Sequence, residues 1–572
     1  MSEGTKIYPQ VIPDIEDWPI YKLHDDRRRF VQEIDEFTLN RLLRKSTAEL
    51  SDLIAKTIFM ERIRIKEEPW KVDPPNERQF WKRISKKLVS TSLDRSEMEA
   101  AKSNEEILRL IIHRYSEEIV GTFGIKTFLF ARRFLTFFFT RLLNAISAKN
   151  ISGLWGVRKQ LADHMIVRGQ VEQVRELMKK GTVVLAPTHS SNLDSILIGY
   201  ALDMFVGLPS FSYGAGLNLY NTGYTAYFMN RLGAYRVDRR KKNAIYLETL
   251  KAMSNLSIQR GTNSLFFPGG TRSRSGALEN KLKLGLLGSV MEAQRSLYQN
   301  GKDVKIFIVP LVLCYHCVLE GQFLIEQQLR QMGKERYLKA HEERYSFWNV
   351  LKFTWLFFSK GNEVTLSFGQ PMDVLGNPVD ENGNSCDKYG NPIDVKSYFI
   401  TNNKITEDLQ RESEYTKMLA DKIVHRYYKD NVVLSSHITA FLAFELLKRQ
   451  NLKLDLYGVL RLPEEEYIFP MDQLEDAMQQ LLVVLFEMEN NGDIQLSERL
   501  RLPIEDIIKD GVMRLGTYHV DKPLRFNKKG QLVSDSFNLL YFYHNRLDNY
   551  DFHKKINWKK VPDMEVLEEG IV

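Results

Sequence analysis

Residues 183–194 read VVLAPTHSSNLD, an apolar run followed by a polar one. The apolar half is typical of a buried strand, and the polar half after Pro187 predicts that this strand turns into a helix. Within one continuous helix, His189 and Asp194 would point about 140° apart. They can meet only if His189 precedes the helix and Asp194 lies in its first turn. The carboxylate would then hold one imidazole nitrogen and leave the other free to accept a proton.

Three more segments follow at compatible distances. They read GAYRVDRR (233–240), FFPGGTRSRSG (266–276) and IFIVPLVL (306–313). Glycines let backbone N–H groups approach an anion closely, and guanidinium groups match phosphate oxygens in pairs. A single basic cluster of this kind is more often a solvated turn, but the repetition after strand-like runs favours one shared anion site.

Together the four segments resemble the glycerol-3-phosphate acyltransferase family, within the wider glycerolipid and lysophospholipid acyltransferase superfamily. The chain carries a His-x4-Asp block, a Gly-Ala-x-x-x-Asp-Arg block, a Pro-x-Gly-Thr-Arg-Ser-Arg block and a Val-Pro-Leu block in the family's order. They cover residues 182–313. The set is specific, whereas each block alone is weak evidence.

The resemblance implies a reaction and a set of site residues. His189, oriented by Asp194, would deprotonate a glycerol hydroxyl, which attacks the thioester of acyl-CoA or an acyl carrier protein. The residues expected to bind the acceptor phosphate are Arg239, Gly270, Thr271, Arg272, Ser273, Arg274 and Lys283. Those expected to support the blocks are Gly233, Pro268 and Pro310. We expect no metal and no cofactor beyond the thioester co-substrate. Direct attack fits because no activated serine or cysteine is evident beside His189.

Two departures from the family pattern leave the acceptor open. Gly269 stands where the family usually has a glutamate, and Asp238 precedes Arg239 as in the lysophosphatidate branch. Arg240 is expected to restore a second positive charge. The leading hypothesis is acylation of glycerol 3-phosphate to lysophosphatidate. One alternative is acylation of lysophosphatidate or another lysophospholipid, and another is a non-catalytic, membrane-associated lipid-binding protein.

Composition sets broad limits on the class of protein. With 572 residues, 43% of them hydrophobic and 27% charged, the chain is expected to be globular, with roughly two to four domains. A net charge of +7 permits contact with anionic lipid, and no nucleic-acid-binding module is apparent. Three cysteines cannot form a disulfide framework, which favours the cytoplasm. Cys314 and Cys317 suit a strand end better than a zinc site.

The pattern along the chain predicts an α/β protein, a mixed sheet flanked by helices, with helical N- and C-terminal regions. The predicted units are a helical region (1–150), the α/β acyltransferase domain (151–375), a turn-rich loop (376–400) and a helical domain (401–572). Strands are predicted at 182–187, 264–267 and 305–313, and helices at 163–180, 243–259 and 284–297.

Two aromatic segments, 123–146 and 347–358, are too short or too charged to span a bilayer. We expect the first to lie in the membrane interface or, as an alternative, to pack in a core. No signal peptide opens the chain, so we expect a peripheral or monotopic protein on the cytoplasmic face of a membrane.

Overall fold

The centre of the molecule is a seven-stranded mixed sheet. The computed structural model describes residues 6–91, 97–144, 164–220, 223–332, 363–464, 467–517 and 519–558. The strand order is β1-β7-β6-β2-β5-β3-β4. These strands are β1 (Met165–Gly169), β2 (Gly181–Pro187), β3 (Ser212–Gly216), β4 (Ala234–Val237), β5 (Ser264–Leu265), β6 (Lys305–Tyr315) and β7 (Val364–Phe368). Strands β6, β2, β5, β3 and β4 run parallel. Strand β7 is antiparallel to β6, and β1 is parallel to β7. The predicted α/β class with a mixed sheet is confirmed.

Strand β2 is buried on both faces, which explains its unbroken apolar sequence. Val183 and Leu185 pack into one core, and Val184 and Ala186 pack into a second core on the other face. Helices cover both faces, so the end of the sheet is the place where β2 can present polar groups to solvent.

The helices account for most of the described residues outside the sheet. Those before the sheet are α1 (Pro19–Asp25), α2 (Arg27–Leu42), α3 (Thr47–Glu67), α4 (Glu77–Thr91), α5 (Glu97–Ile119) and α6 (Ile125–Asn144). Those within the sheet region are α7 (Val171–Met178), α8 (Asp194–Ala201), α9 (Gly223–Met229), α10 (Ala244–Gln259), α11 (Leu284–Gln299) and α12 (Gly321–Gln331). Those that follow are α13 (Leu409–Lys429), α14 (Ser435–Gln450), α15 (Leu456–Val459), α16 (Met471–Asn490), α17 (Ile504–Leu515) and α18 (Phe537–Asp548).

The N-terminal helices share a core with α10. Apolar residues of α2, α3, α4 and α5 cluster with Ile245, Tyr246 and Met253. The helices therefore pack directly on the element that follows β4, at one edge of the sheet.

One predicted helix is wrong in its first half. The sequence predicts a helix over 163–180, but Met165–Gly169 forms strand β1 and the helix is Val171–Met178. The run Met165-Ile166-Val167 pairs with β7, and tertiary pairing overrides a helical pattern in so short a segment. The other predicted helices are confirmed, with Asn243 as the side-chain cap of α10.

The remaining short strands form two-stranded pairs outside the main sheet. They are β8 (Ser385–Cys386), β9 (Pro392–Ile393), β10 (Ile400–Thr401), β11 (Lys404–Ile405), β12 (Val432–Val433), β13 (Gln495–Leu496), β14 (Arg525–Phe526) and β15 (Leu532–Val533). The domain boundaries at 150, 375 and 400 stay predictions, and the aromatic segment 347–358 lies outside the described residues.

Helix α6 has one packed side and one exposed side. Phe128 is buried, and Arg132 forms an ion pair with Asp203. Phe130 and Phe137 are 57% and 58% exposed. Across the described ranges, every helix is too short or too polar to cross a bilayer.

Candidate functional site

The His189–Asp194 pair forms at the end of β2. Strand β2 ends at Pro187, and Asp194 is the first residue of α8, so His189 lies ahead of the helix as the spacing predicts. The imidazole Nδ1 is 2.8 Å from Oδ2 of Asp194. Because a carboxylate accepts hydrogen bonds, Nδ1 carries the proton and Nε2 holds the lone pair. Nε2 makes no hydrogen bond with any residue in the described ranges.

Asp194 is fixed by donors on every side. Its carboxylate is fully buried and accepts hydrogen bonds from the backbone N–H groups of Ser190 (2.7 Å) and Ser191 (3.0 Å). Its second oxygen, Oδ1, accepts a 2.6 Å hydrogen bond from the Tyr315 hydroxyl. A carboxylate held in this way fixes the orientation of the His189 ring, which also stacks on Phe267 at 4.0 Å.

Burial, together with the neighbouring carboxylate of Asp194, raises the pKa of the Tyr315 phenol well above its ordinary value of 10.0. The phenol therefore remains a donor throughout the neutral range. Tyr315 is in turn held by His437, whose Nε2 lies 3.0 Å from the Tyr315 carbonyl oxygen. His437 Nδ1 accepts from the Leu434 N–H at the start of α14. Burial lowers the pKa of His437 to about 3, so its ring is neutral.

The third block wraps around the histidine loop. The Ser273 N–H donates to the His189 carbonyl at 2.8 Å, and the Ser273 hydroxyl donates to the Ala277 carbonyl at 2.7 Å. Gly270 has φ +77°, and the Lys283 side chain lies so close to it that any Cβ there would be within 2.8 Å of its ammonium nitrogen. The backbone of Gly270 and the ammonium of Lys283 therefore lie together.

Gly269 makes room for a glutamate that sequence reasoning missed. A Cβ at Gly269 would be 3.1 Å from Cγ of Glu279. Glu279 Oε1 accepts a 2.7 Å hydrogen bond from the His189 N–H, and burial raises the pKa of this carboxyl. A carboxylate is thus present beside Gly269, although it comes from a position ten residues further along the chain.

Three arginines form the basic part of the site. The surrounding protein partly desolvates Arg239, which lowers its pKa, and the nearby charges of Arg272 and Arg274 lower it further. Arg239 is exposed and makes no hydrogen bond or ion pair with any described residue. Arg274 donates to Gln331 at 2.5 Å. A cluster of cations with so little protein counter-charge is suited to an anionic ligand.

Arg272 is coupled to the histidine loop by Glu320, which the sequence did not identify. The buried Glu320 carboxylate accepts from Arg272 Nη1 (3.1 Å), Ser191 Oγ (2.9 Å) and the Asn192 N–H (2.9 Å). The link spans 128 residues between Asn192 and Glu320, so no local pattern pointed to it.

Arg240 does not add a charge to the site. It forms ion pairs with Asp73 and Asp238, and its guanidinium lies 4.1 Å from the centre of the Trp70 ring. The two carboxylates therefore neutralise the second positive charge that was expected beside Arg239. Together with Trp70 they hold the Arg240 side chain away from the site.

The remaining predicted residues have backbone roles. Gly233 has φ +83°, and a Cβ there would lie 2.1 Å from the Ile20 side chain. Pro268 accepts from the Lys283 N–H, and Pro310 accepts from the Gly369 N–H. The Thr271 hydroxyl makes no hydrogen bond with a described residue. Cys314 and Cys317 are buried and form no disulfide with a described residue, and Cys314 lies inside β6.

Part of the chain is similar to known acyltransferases. Residues 168–314 match the family model described as Acyltransferase. The glycerol-3-phosphate acyltransferase of Pseudomonas paraeruginosa is 24% identical over 277 residues, covering 48% of this chain and 29% of that protein. That of Pseudoalteromonas translucida is 25% identical over 308 residues, covering 53% and 34%. The matched part of the chain therefore spans about a third of the length of these curated relatives.

A solved structure is also similar in part. It is the 1-acyl-sn-glycerophosphate acyltransferase PlsC from Thermotoga maritima, 12% identical, with 65% of this chain and 93% of that chain covered at a TM-score of 0.24.

Residues 168–314 are thus an acyltransferase-family domain. The curated relatives that this part of the chain resembles are named glycerol-3-phosphate acyltransferases.

Proposed function

We propose that this chain is an O-acyltransferase that moves a fatty acyl group from an acyl thioester to a hydroxyl of glycerol 3-phosphate, giving lysophosphatidate. The observation that carries the proposal is the unpartnered Nε2 of His189, fixed through Asp194 and joined by backbone and Glu320 contacts to the arginine cluster. A base and an anion site in one loop system suit an acceptor that carries both a hydroxyl and a phosphate.

The proposed reaction uses His189 as base and then as acid. Nε2 takes the proton of the acceptor hydroxyl while the oxygen attacks the thioester carbonyl carbon. The tetrahedral intermediate then collapses as the C–S bond breaks, and the thiolate takes the proton from the imidazolium. Asp194 stabilises the imidazolium formed in between. No covalent acyl-enzyme is needed.

The acceptor phosphate is proposed to lie among Arg239, Arg272 and Lys283. Arg239 has no counter-ion among the described residues, and the Lys283 ammonium lies beside the backbone of Gly270. Thr271 and Arg274 border the same loop. Charge-assisted hydrogen bonds from these groups would bind a phosphate and place the adjacent hydroxyl near His189.

An acceptor and donor panel tests this proposal. Purified full-length protein is assayed with radiolabelled palmitoyl-CoA or palmitoyl acyl carrier protein, and with glycerol 3-phosphate, glycerol or 1-acylglycerol 3-phosphate. Label in lysophosphatidate, with glycerol a poor acceptor, is the expected result. Transfer to 1-acylglycerol 3-phosphate alone would establish lysophospholipid acylation instead. Inactivity with every pair would favour a non-catalytic lipid-binding protein.

Membrane contact is proposed to be peripheral, at the cytoplasmic face, through the exposed side of α6. Phe130 and Phe137 are exposed there, and Arg133 is the kind of residue that reaches lipid headgroups. Flotation with anionic liposomes should weaken in Phe130→Ser. Phe59→Ser, which changes a similarly exposed phenylalanine on α3, is the matched control. If Phe130→Ser and Phe59→Ser bind the liposomes equally well, the exposed side of α6 is not the membrane-binding face.

A further inference from the structure

The loop that carries Arg239 is held by the N-terminal helices. This arginine loop, residues 238–243, joins β4 to α10. Arg240 donates to the Glu68 carbonyl at 2.6 Å, pairs with Asp73 and stacks on Trp70. Glu68, Trp70 and Asp73 belong to the α3–α4 loop, residues 68–76. The Arg240 side chain is 6% exposed, so these contacts replace solvent almost completely.

The far end of the arginine loop is anchored in the same helices. Lys241 pairs with Glu118 and lies 5.0 Å from the Tyr115 ring. Asn243 donates to Glu61 and to the Tyr115 hydroxyl, each at 3.0 Å. The residues that follow Arg239 are therefore attached to the α3–α4 loop through Arg240 and to α3 and α5 through Lys241 and Asn243.

The anchors are themselves part of a buried charge network. Arg64 donates to Glu61 at 2.8 Å and to Asp73 at 3.3 Å, and it pairs with Glu77. Its side chain is 4% exposed. Interlocked buried charges of this kind hold a fixed geometry, since any displacement leaves a charge without its partner.

Arg239 differs from these neighbours because it has no partner in the described ranges. Asp238 does not neutralise it, since that carboxylate is taken by Arg240. Anchoring Arg240, Lys241 and Asn243 thus fixes the backbone next to Arg239 and leaves the charge of its side chain unpaired with any described residue. Arg272 and Arg274 are near enough for their charges to act on it.

We propose that the N-terminal helices serve to position Arg239 for the acceptor phosphate, with Trp70 and Asp73 as positioning residues that act through Arg240. These helices lie outside the matched residues 168–314. The inference rests on the proposed function for its ligand, but the positioning itself rests on the anchoring contacts.

The test measures KM and kcat for glycerol 3-phosphate in full-length Trp70→Ala and Asp73→Asn proteins. Each should raise KM about 10-fold while kcat changes less than about twofold, because a phosphate contact is displaced and the base is not. In an Arg239→Ala background, Trp70→Ala should add no further rise in KM. Trp70→Phe, which keeps an aromatic face, should restore most of the affinity. Glu105→Gln, which breaks an exposed ion pair on α5, is the control.

Three results would overturn the inference: a fall in kcat with KM unchanged, a full additional KM rise in the Arg239→Ala background, or no change at all. A parallel titration with inorganic phosphate, followed by the rise in melting temperature, needs no turnover. If the wild-type protein is stabilised by phosphate but inactive, the proposed function fails, and weaker stabilisation of Trp70→Ala still supports positioning. Equal stabilisation of both proteins refutes positioning.

Discussion

The hydroxyl of Tyr315 donates a 2.6 Å hydrogen bond to Oδ1 of Asp194, the carboxylate that orients His189. Tyr315→Phe removes this donor and leaves a buried charge short of one hydrogen bond. Hydrogen bonds to charged groups contribute about 1.5–3 kcal/mol, so kcat should fall by about 10-fold or more, with KM nearly unchanged. Steady-state kinetics check this. Tyr550→Phe, which loses a 2.8 Å bond to the Tyr428 carbonyl, should leave kcat intact. A kcat unchanged in Tyr315→Phe would mean that Tyr315 has only a packing role.

Gly269 and Glu279 are expected to be energetically coupled. An added Cβ at 269 would press on Glu279 at 3.1 Å and shift the carboxylate that accepts from the His189 N–H. Gly269→Ala should therefore lower kcat several-fold. In a Glu279→Gly background, the same Gly269→Ala change should have a smaller effect on kcat. Gly285→Ala is the control, because a Cβ there meets nothing within 4 Å. Additive effects of the two changes, measured in a double-mutant cycle, would argue against coupling.

Replacing Arg272 should act mainly on acceptor affinity. Arg272→Ala removes a proposed phosphate contact, so KM for glycerol 3-phosphate should rise by about 10-fold or more. A smaller fall in kcat is expected, because Glu320 loses a cation but keeps its bonds to Ser191 and Asn192. Initial rates over a range of acceptor concentrations give both values. A large fall in kcat at constant KM would show that the roles are assigned wrongly.

The buried Glu445 is expected to stabilise the fold at neutral pH and to lose this contribution at low pH. Burial alone would raise its pKa, but hydrogen bonds and charges from His544 and Lys448 lower it from 4.5 to about 2. A lowered carboxyl pKa stabilises the fold above pH 4.5, and this contribution is lost as pH falls towards 2. The shift corresponds to about 3 kcal/mol.

Glu445→Gln should therefore unfold more easily in urea at pH 7, and its stability should depend less on pH between 4.5 and 2. Glu505→Gln, at an exposed position, is the matched control. Parallel pH profiles for the wild type and Glu445→Gln would rule out this contribution.

Sequence reasoning identified what short segments encode. The apolar run of β2, the polar turn and the five-residue step from His189 to Asp194 are local, and the structure forms them as the pattern predicts. The alternation of strand-like and helical segments predicted the α/β class from three of the seven strands, β2, β5 and β6. Strand β1 was missed, since its five residues gain their strand character from pairing with β7.

Local sequence patterns could not identify the residues that hold the His189–Asp194 pair in place. Tyr315 meets Asp194 across 121 residues of chain, and Glu279 meets His189 across 90. Neither contact leaves a periodicity or a spacing that a single sequence can reveal. The sequence analysis gave Arg240 the role of a second site charge because it follows Arg239. Its position is instead set by Trp70 and Asp73, which come from a different part of the fold.

The central claim is that His189 is the base in acyl transfer, and one comparison tests it most directly. Acyl transfer from palmitoyl-CoA to glycerol 3-phosphate is measured for wild type, His189→Ala and His113→Ala. His113 makes a similar pair with Asp35 at 2.7 Å, but it lies on the N-terminal helices. We predict that His189→Ala loses transfer by about 1000-fold, within the range that a general base contributes, while still binding acceptor, and that His113→Ala stays near wild type. An active wild type with His189→Ala equally active would contradict the account.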